Sequence, residues 1–334
     1  MNSVDEIGSS IGVRALRCYC SLLLLGLASL SPPCALAQNF PTKPVRIVTL
    51  EPGGGTDFAA RLIAQGLADK FGHPVIVDNR GGANGIIAVQ VVARASPDGY
   101  TLLLNGSPVW LLPFLQDSVP YDPLKDFSPI VLVTSAPNVL VVHPSSSANS
   151  VKELITLAQS MPGKLNYGSA ATGGSPHLAG ELFKSMAGVN IVRITYKGAA
   201  LALNDLLGAQ IQLMFPTAAT VAPHFKSGRL RALAVTSAQP SALLPGLPTV
   251  AAALPGYESG SALGVFAPAG TPAAIIGRLN QEIVRVISRS DVKEKFFSAG
   301  VETVGGTPAD FLATIKSEMS RMGKVIKDAR IKGE

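Results

Sequence analysis

Residues 51–57 (EPGGGTD) form a glycine-rich loop of the kind that binds anions. The loop follows an apolar run at 45–50 and precedes a stretch whose apolar residues recur at helical spacing. A loop between a strand and a helix N-terminus offers backbone N–H groups to an anion. The loop lacks the Gly-Lys-Ser/Thr of a P-loop, and Phe58 replaces the third glycine of a dinucleotide fingerprint. A tight turn without a ligand is the alternative interpretation.

A second loop of the same kind spans residues 168–175 (GSAATGGS), between another predicted strand and helix. If the two loops face each other, their N–H groups and hydroxyls converge on one cleft. Neither loop contains Lys or Arg. Backbone and hydroxyl donors without a cation suit a carboxylate better than a fully charged phosphate.

Signatures of catalysis and of metal binding are weak in this sequence. Beyond residue 37 it has no Gly-x-Ser-x-Gly elbow, and His73, His143, His177 and His224 have no zinc-binding spacing. We therefore expect no catalytic residues, no metal and no cofactor. His177 lies in the first turn of the helix after the second loop, where it could reach a ligand. Packing at the helix start is its alternative role.

The N-terminus has the pattern of an export signal. Arg14 and Arg17 precede an apolar run at 22–30, and residues 35–37 (ALA) supply the small residues that signal peptidase requires. We predict a signal peptide over residues 1–37, with an uncleaved anchor as the alternative. All three cysteines fall in this segment, so the mature chain cannot form a disulfide or use a thiolate.

The charge pattern argues against a nucleic-acid partner. The net charge is +6, but the basic residues are scattered and 6% of the residues are aromatic. A mildly basic exported protein is suited to attracting small anions.

Beyond residue 40, short β-branched runs alternate with amphipathic stretches, which indicates mostly parallel sheets covered on both faces. We expect two α/β lobes, with the chain crossing between them near Val141 and Gly264. Either Thr56 or Asp57 is expected to cap the first helix, and Ser175 a later one. The predicted strands are 45–50, 75–79, 100–104, 130–133, 164–167, 191–196, 212–215, 231–236 and 264–267. The predicted helices are 56–71, 151–161, 175–187 and 199–207, followed by helical segments from about residue 272 to the end, the last of them at 308–329.

A series of motifs occurs in order along the chain: PGGGTD, VDNRGGANG, PDGYTLLL, PYDPLKDF, PGKLNYGSA, HLAGELFKSMAG, YKGAALALNDLLGAQIQLMF, LRALAVTSA and FAPAGTP. Together they resemble the Bug family of periplasmic solute receptors, the binding subunits of tripartite tricarboxylate transporters. The resemblance covers essentially the whole mature chain. It implies an α/β fold of the type II periplasmic binding protein class, in which two lobes close on a cleft (a Venus flytrap).

The resemblance also implies the organisation and partners of the protein. Lobe 1 would comprise residues 38–141 and 264–334, and lobe 2 residues 142–263. The ligand would be a small carboxylate (an organic, amino or aromatic acid), delivered in the periplasm to membrane permease subunits, and we expect a monomeric receptor. A periplasmic hydrolase using Ser107 or Ser169 with His177, and a receptor that feeds a membrane kinase, remain alternatives.

Carried over residue by residue, the resemblance assigns the ligand site to both loops and to two strand ends. The implied ligand-binding residues are Leu50, Gly53, Gly54, Gly55, Thr56, Asp57, Ser107, Ser169, Ala170, Thr172, Gly173, Ser175, His177, Pro216 and Thr217.

Three departures from the family pattern bear on the ligand. Thr49-Leu50-Glu51 stands where the family usually has proline, an aromatic and proline, Pro216 replaces a common aspartate, and Gly81 replaces a common proline. If Glu51 faced the cleft, its charge would disfavour compact di- and tricarboxylates. The alternative is that Glu51 points to solvent.

Overall fold

The structure, a computed structural model, describes residues 40–82, 85–170 and 172–332. The described residues from Pro41 onward form one compact unit. The predicted signal peptide, residues 1–37, lies outside the described residues. Within the described ranges, no helix combines the length and the apolar character needed to cross a membrane.

The described strands and helices alternate along most of the chain. The strands are β1 (Val45–Thr49), β2 (Val75–Asn79), β3 (Thr101–Gly106), β4 (Phe127–Pro137), β5 (Val139–Val142), β6 (Asn166–Ser169), β7 (Val192–Thr195), β8 (Leu213–Met214), β9 (Arg231–Val235), β10 (Gly260–Pro268) and β11 (Glu302–Gly305). The helices are α1 (Gly55–Phe71), α2 (Ile86–Ala93), α3 (Pro108–Leu115), α4 (Val151–Ser160), α5 (Ser175–Ala187), α6 (Ala199–Leu207), α7 (Ala218–Lys226), α8 (Ala273–Ile287), α9 (Ser290–Ser298) and α10 (Pro308–Asp328).

The strands form two sheets, which confirms the prediction of a two-part α/β fold. The first sheet has the order β11-β4-β10-β3-β1-β2, and the second has the order β7-β6-β8-β5-β9. The chain leaves the first sheet at Asn138, between β4 and β5, and returns to it between β9 and β10. All of β5 therefore stands in the second sheet and all of β10 in the first. The lobe boundaries themselves stay a prediction.

The expectation of mostly parallel sheets is wrong. Strand β1 pairs in parallel with β2 and β3, but β10 is antiparallel to both β3 and β4, and β11 is antiparallel to β4. The second sheet is mixed as well, with β5 antiparallel to β8 and β9. The reason lies in the connections, because β4 and β10 carry the chain out of the first sheet and back without the crossover helix that a parallel pair needs.

Most predicted elements are present within one to three residues of their predicted ends, and β2, α5 and α6 have the expected bounds. Sequence reasoning missed α2, α3, β5, α7 and β11. Helices α2 (IIAVQVVA) and α3 (PVWLLPFL) are apolar on nearly every side and so lack the 3.6-residue periodicity that reveals a surface helix. The four residues of β11 are too few to show alternation.

Strand ends and helix starts place both loops at sheet edges. Strands β1 and β3 run parallel, so the loops that follow them leave the same edge of the first sheet. The predicted caps are wrong: Gly54 is the N-cap of α1 and Gly174 that of α5. Thr56 and Asp57 lie two and three residues after the actual cap, and Ser175 lies one residue after it. The side chains of Asp57 and Ser175 bind other groups, described below.

An aromatic cluster fixes α10 against the first sheet. The Trp110 ring lies 5.9 Å from that of Phe311 and 6.0 Å from that of Phe266, centroid to centroid. All three side chains are buried. Such packing holds α10 rigidly beside α3, which brings Glu318 of α10 next to Ser107 at the start of α3.

Candidate functional site

A cavity of about 290 Å³ lies where the loops of both sheets meet. Its wall comes from the ends of β1 and β3, the N-termini of α1, α3 and α5, the start of β10, and one face of α10. This volume is close to the lower limit for sites that hold small organic molecules. Five of the predicted site residues line it: Leu50, Thr56, Ser107, Gly173 and Ser175.

Gly54 and Gly55 line an adjoining cavity of about 380 Å³, which shares Leu50, Thr56, Ser261 and Leu263 with the first. Within the described residues, no hydrogen bond uses the N–H groups of Gly54, Gly55 or Thr56. These are the orphan donors of the α1 N-terminus, where the helix dipole also favours negative charge. The first loop therefore presents three convergent N–H groups to an anion.

The Asp57 carboxylate holds the first loop in place through hydrogen bonds. Its Oδ2 accepts hydrogen bonds from the Gly53 N–H at 2.9 Å and from Arg61 Nε at 3.0 Å, and its Oδ1 accepts one from Asn79 Nδ2 at 2.9 Å. The hydrogen bond from Arg61, supported by those from Gly53 and Asn79, lowers the pKa of Asp57 to about 2. The Gly53 N–H and the Asp57 carboxylate are therefore already hydrogen-bonded within the protein. Neither residue lines the cavity.

Glu51 is tied to the neighbouring loop. Its Oε1 accepts the Gly82 N–H at 2.8 Å. Hydrogen bonds from its own backbone N–H and from Gly82 lower its pKa. A side chain at position 81 would overlap the Glu51 carboxyl group, so the departures at positions 51 and 81 are physically coupled. Glu51 is exposed and borders the adjoining cavity, not the 290 Å³ one.

The second loop is held by a cation that the sequence did not reveal. Arg193 of β7 donates from Nε to Ser169 Oγ at 2.7 Å, from Nη1 to Thr172 Oγ1 at 3.3 Å, and from Nη2 to the Ala170 carbonyl at 3.0 Å. A guanidinium can donate but not accept, so both hydroxyls keep their own hydrogens for another acceptor. The inference that no cation accompanies this loop is wrong, because strand pairing brings Arg193 to it from 24 residues away. Ser169, Ala170 and Thr172 do not line the cavity.

The polar groups that begin α5 are used within the protein. Ser175 Oγ donates to Asn138 Oδ1, and His177 Nδ1 accepts the Gly173 N–H at 2.9 Å. Burial, with the positive charge of Arg193, lowers the pKa of His177 to about 4, so the ring is neutral at pH 7. Because Nδ1 is the acceptor, the ring hydrogen is on Nε2. His177 does not line the cavity.

Gly173 shows how closely the second loop approaches α3. Its φ of 76° lies in the left-handed region, and a Cβ built there would lie 2.7 Å from Leu115 Cδ1. Leu115 belongs to the first-sheet half of the chain, so this contact joins the two halves at the cavity. A side chain at position 173 would be strained by this φ and would require the Leu115 side chain to move.

Pro216 and Thr217 lie at the end of β8, beside the chain crossing, and do not line the cavity. The Pro216 carbonyl accepts the Val139 N–H at 2.8 Å, and Thr217 forms a bridge with Asn138. Their position suggests a part in the connection between the sheets.

Several lining residues were missed by sequence reasoning. They are Asn105, the segment 259–263 at the start of β10, and Glu318. Ser259 is buried, and its hydroxyl has no hydrogen-bond partner. No sequence motif marks these positions, because each reaches the cavity through tertiary packing.

The described contacts do not include the serine–histidine pair of the hydrolase alternative. Within the described residues, neither Ser107 nor Ser169 is hydrogen-bonded to His177, whose Nδ1 is occupied by Gly173. No group of His, Cys, Asp or Glu side chains that could hold a metal ion occurs among them. A carboxylate could accept hydrogen bonds from the N–H groups of α1 while an apolar remainder fills the cavity.

Comparison with known proteins identifies the family. The protein-family model described as "Tripartite tricarboxylate transporter family receptor" matches residues 59–331 of this chain. Protein BugT of Bordetella pertussis is 35% identical over 314 residues, covering 93% of this chain and 96% of BugT.

Two solved structures with named ligands are similar to this protein. "R. palustris Rpa4515 with adipate" is 38% identical with a TM-score of 0.68, covering 88% of this chain and 99% of that one. MatC (Rpa3494) from Rhodopseudomonas palustris, with bound malate, is 29% identical with a TM-score of 0.63, covering 86% of this chain and 100% of that one. The resemblance seen in the motifs is therefore confirmed, and the chain belongs to the tripartite tricarboxylate transporter receptor family.

Proposed function

We propose that this protein is a periplasmic receptor that binds a small carboxylate between its two halves and delivers it to a membrane permease. The observation that carries the proposal is the set of unpaired N–H groups of Gly54, Gly55 and Thr56. They lie at a helix N-terminus beside a mainly apolar cavity. Relatives with bound adipate and bound malate support the ligand class.

The chemistry of binding follows from these donors. A carboxylate has two acceptor oxygens and can take hydrogen bonds from two or three N–H groups at once. Because these donors are already oriented by α1, binding does not have to order them. Each charge-assisted hydrogen bond of this kind contributes about 1.5–3 kcal/mol.

We also propose that binding closes the two lobes, 38–141 with 264–334 and 142–263. The second loop meets the cavity through Gly173, Gly174 and Ser175, so a ligand held by α1 would also contact the second half. Movement about the two chain crossings is the simplest motion that changes this contact. Closure would also give a permease a surface to which both lobes contribute.

Location in the periplasm follows from the predicted signal peptide at 1–37 and from the family. A permease partner is required for transport, and we expect the ligand-loaded, closed form to bind it. In the alternative role as a sensor, the protein would use the same ligand site, and its membrane partner would be a kinase instead of a permease.

A carboxylate panel tests the function. Protein beginning at Gln38 is heated with adipate, malate and other mono- and dicarboxylates, while NMR follows each compound. A receptor gains stability, by about 2.7 kcal/mol at a ligand concentration of 100 times Kd, and leaves the compound unchanged. Product beyond one equivalent supports the hydrolase alternative, and no stabilisation by any carboxylate contradicts the ligand class.

A further inference from the structure

One acidic residue lines the cavity, and no cation lines it. Among the nineteen residues of the wall, Glu318 is the acidic one, and Lys, Arg and His are absent. A wall of this kind is unexpected for a receptor of polyanions, because a buried negative charge repels a second one.

Glu318 has one oxygen committed and one available. Its Oε2 accepts Trp110 Nε1 at 2.8 Å and Ser107 Oγ at 3.5 Å. Its Oε1 has no hydrogen-bond partner among the described residues and is not buried from solvent. A carboxylate oxygen without a partner can accept hydrogen bonds from a ligand.

The nearest positive charge does not neutralise Glu318. Arg321, one turn later on α10, forms an ion pair with Glu258 at 3.1 Å. Arg321 and Glu258 line a second cavity, which shares the 259–262 segment and Glu318 with the first. Within the described ranges, Glu318 has no ion-pair partner of its own.

Apolar side chains and the N-terminus of α1 share this wall with Glu318. The apolar residues are Leu50, Leu111, Leu115, Leu178, Leu263 and Met322, and Thr56 lines both this cavity and the adjoining one that Gly54 and Gly55 line. A ligand whose carboxylate binds at α1 therefore has, within the same cavity, hydrocarbon to pack against and a hydrogen-bond acceptor with negative charge.

We propose that Glu318 selects ligands whose far end donates hydrogen bonds or carries positive charge, so that an ω-amino carboxylate binds more tightly than the dicarboxylate of equal length. The inference rests on the proposed carboxylate site at α1 and adds the chemistry of the opposite end. An ammonium group would pair with Glu318 Oε1, whereas a second carboxylate would meet that charge with no cation in the cavity wall. A charge-assisted hydrogen bond of this kind corresponds to about a tenfold to hundredfold change in Kd.

Length-matched ligand sets provide the test. Calorimetric titration compares butanoate, 4-aminobutanoate and succinate, then the five-carbon and the six-carbon sets ending in hexanoate, 6-aminohexanoate and adipate. For the length that fits, we expect the amino compound to bind at least tenfold more tightly than both partners. Trp110, the single tryptophan of the sequence, donates to Glu318, so its fluorescence should change with the amino compound and much less with the simple monocarboxylate.

Two variants separate specificity from folding. Glu318→Gln keeps an acceptor for Trp110 but removes the charge, and it should abolish the preference for the amino compound. Glu294→Gln makes the same change of charge at an exposed position on α9, away from the cavity, and should retain that preference.

Each outcome decides the inference. If a simple monocarboxylate binds and no amino compound binds more tightly, the inference is wrong and the carboxylate receptor stands. A preference that survives Glu318→Gln also overturns it, and failure of that variant to fold leaves the wild-type comparison decisive. If no carboxylate binds at all, the proposed function and this inference fail together.

Discussion

Replacing Asp57 with asparagine should loosen the first loop and lower the stability of the protein in a pH-dependent way. The Asp57 carboxylate accepts hydrogen bonds from Gly53, Arg61 and Asn79. Asparagine has one acceptor oxygen and an NH₂ group that would face these donors. The substitution therefore removes the ion pair with Arg61 and at least one hydrogen bond.

The expected magnitude follows from the pKa. The pKa of Asp57 falls from 3.8 to about 2, and a shift of that size corresponds to about 2 kcal/mol at pH 7. The Arg61 side chain is 59% exposed, so solvent screening reduces this toward about 1 kcal/mol. Because the folded pKa is the lower one, the stabilisation is complete well above pH 3.8 and is lost as the pH falls through about 2. It should be roughly halved at pH 3.

Urea unfolding of the wild type and of Asp57→Asn at pH 7, 5 and 3 measures the difference in the free energy of unfolding. Asp69→Asn, at an exposed position on the same helix, controls for the loss of one negative charge. The reasoning is refuted if the two variants have equal stability at pH 7, or if the deficit of Asp57→Asn is unchanged at pH 3. Asp57→Asn should also weaken carboxylate binding, since the loop would no longer be held.

Three further substitutions test other parts of the account. Thr56→Ala, which removes a hydroxyl from the cavity wall, should weaken carboxylate binding by about 0.5–3 kcal/mol in calorimetry, and unchanged affinity would argue against this wall. Arg193→Ala should weaken binding, lower the melting temperature and raise the pKa of His177 measured by NMR, whereas Arg193→Lys should restore part of each; a His177 pKa unaffected by either change would show that Arg193 does not act there. Gly81→Ala should displace the Glu51 carboxyl group and return its lowered pKa toward the ordinary value, and an unchanged carboxyl titration would contradict the described contact.

The local parts of the fold could be predicted from sequence because their causes are local. The amphipathic pattern of α1 can be recognised within one short stretch of sequence. The same stretch contains Gly72, which ends the helix with a φ of 67°. The same holds for β2, whose bounds Val75–Asn79 are those predicted. The antiparallel return of β10 could not be predicted, because it depends on where the chain re-enters the first sheet.

The candidate site also divides into residues that local sequence could predict and residues that it could not. Thr56, Gly173 and Ser175 were found because they lie in or beside glycine-rich loops. Glu318 and Arg193 were missed because nothing in their own sequence neighbourhood distinguishes them from solvent-exposed charges. Contact with Trp110 across 208 residues brings Glu318 to the cavity, and pairing of β6 with β7 brings Arg193 to the second loop.

The roles of individual loop residues also depended on tertiary contacts. Ser175 and His177 have the right chemistry and position for a ligand, but Asn138 already accepts the Ser175 hydroxyl hydrogen and Gly173 already occupies Nδ1 of His177. Glu51, the charge of most concern in the sequence, is bound to Gly82. Hydrogen-bond partners within the protein decide which polar groups remain for a ligand.

The central claim is that a carboxylate binds to the free N–H groups at the N-terminus of α1. The most direct test follows the amide ¹H and ¹⁵N resonances of Gly54, Gly55 and Thr56 while a binding carboxylate is titrated. We predict that at least two of the three amide protons shift downfield, as expected for new hydrogen bonds to an anion, and saturate at the calorimetric stoichiometry. If the ligand saturates the protein while all three resonances stay in place, the carboxylate is bound elsewhere and the account is wrong.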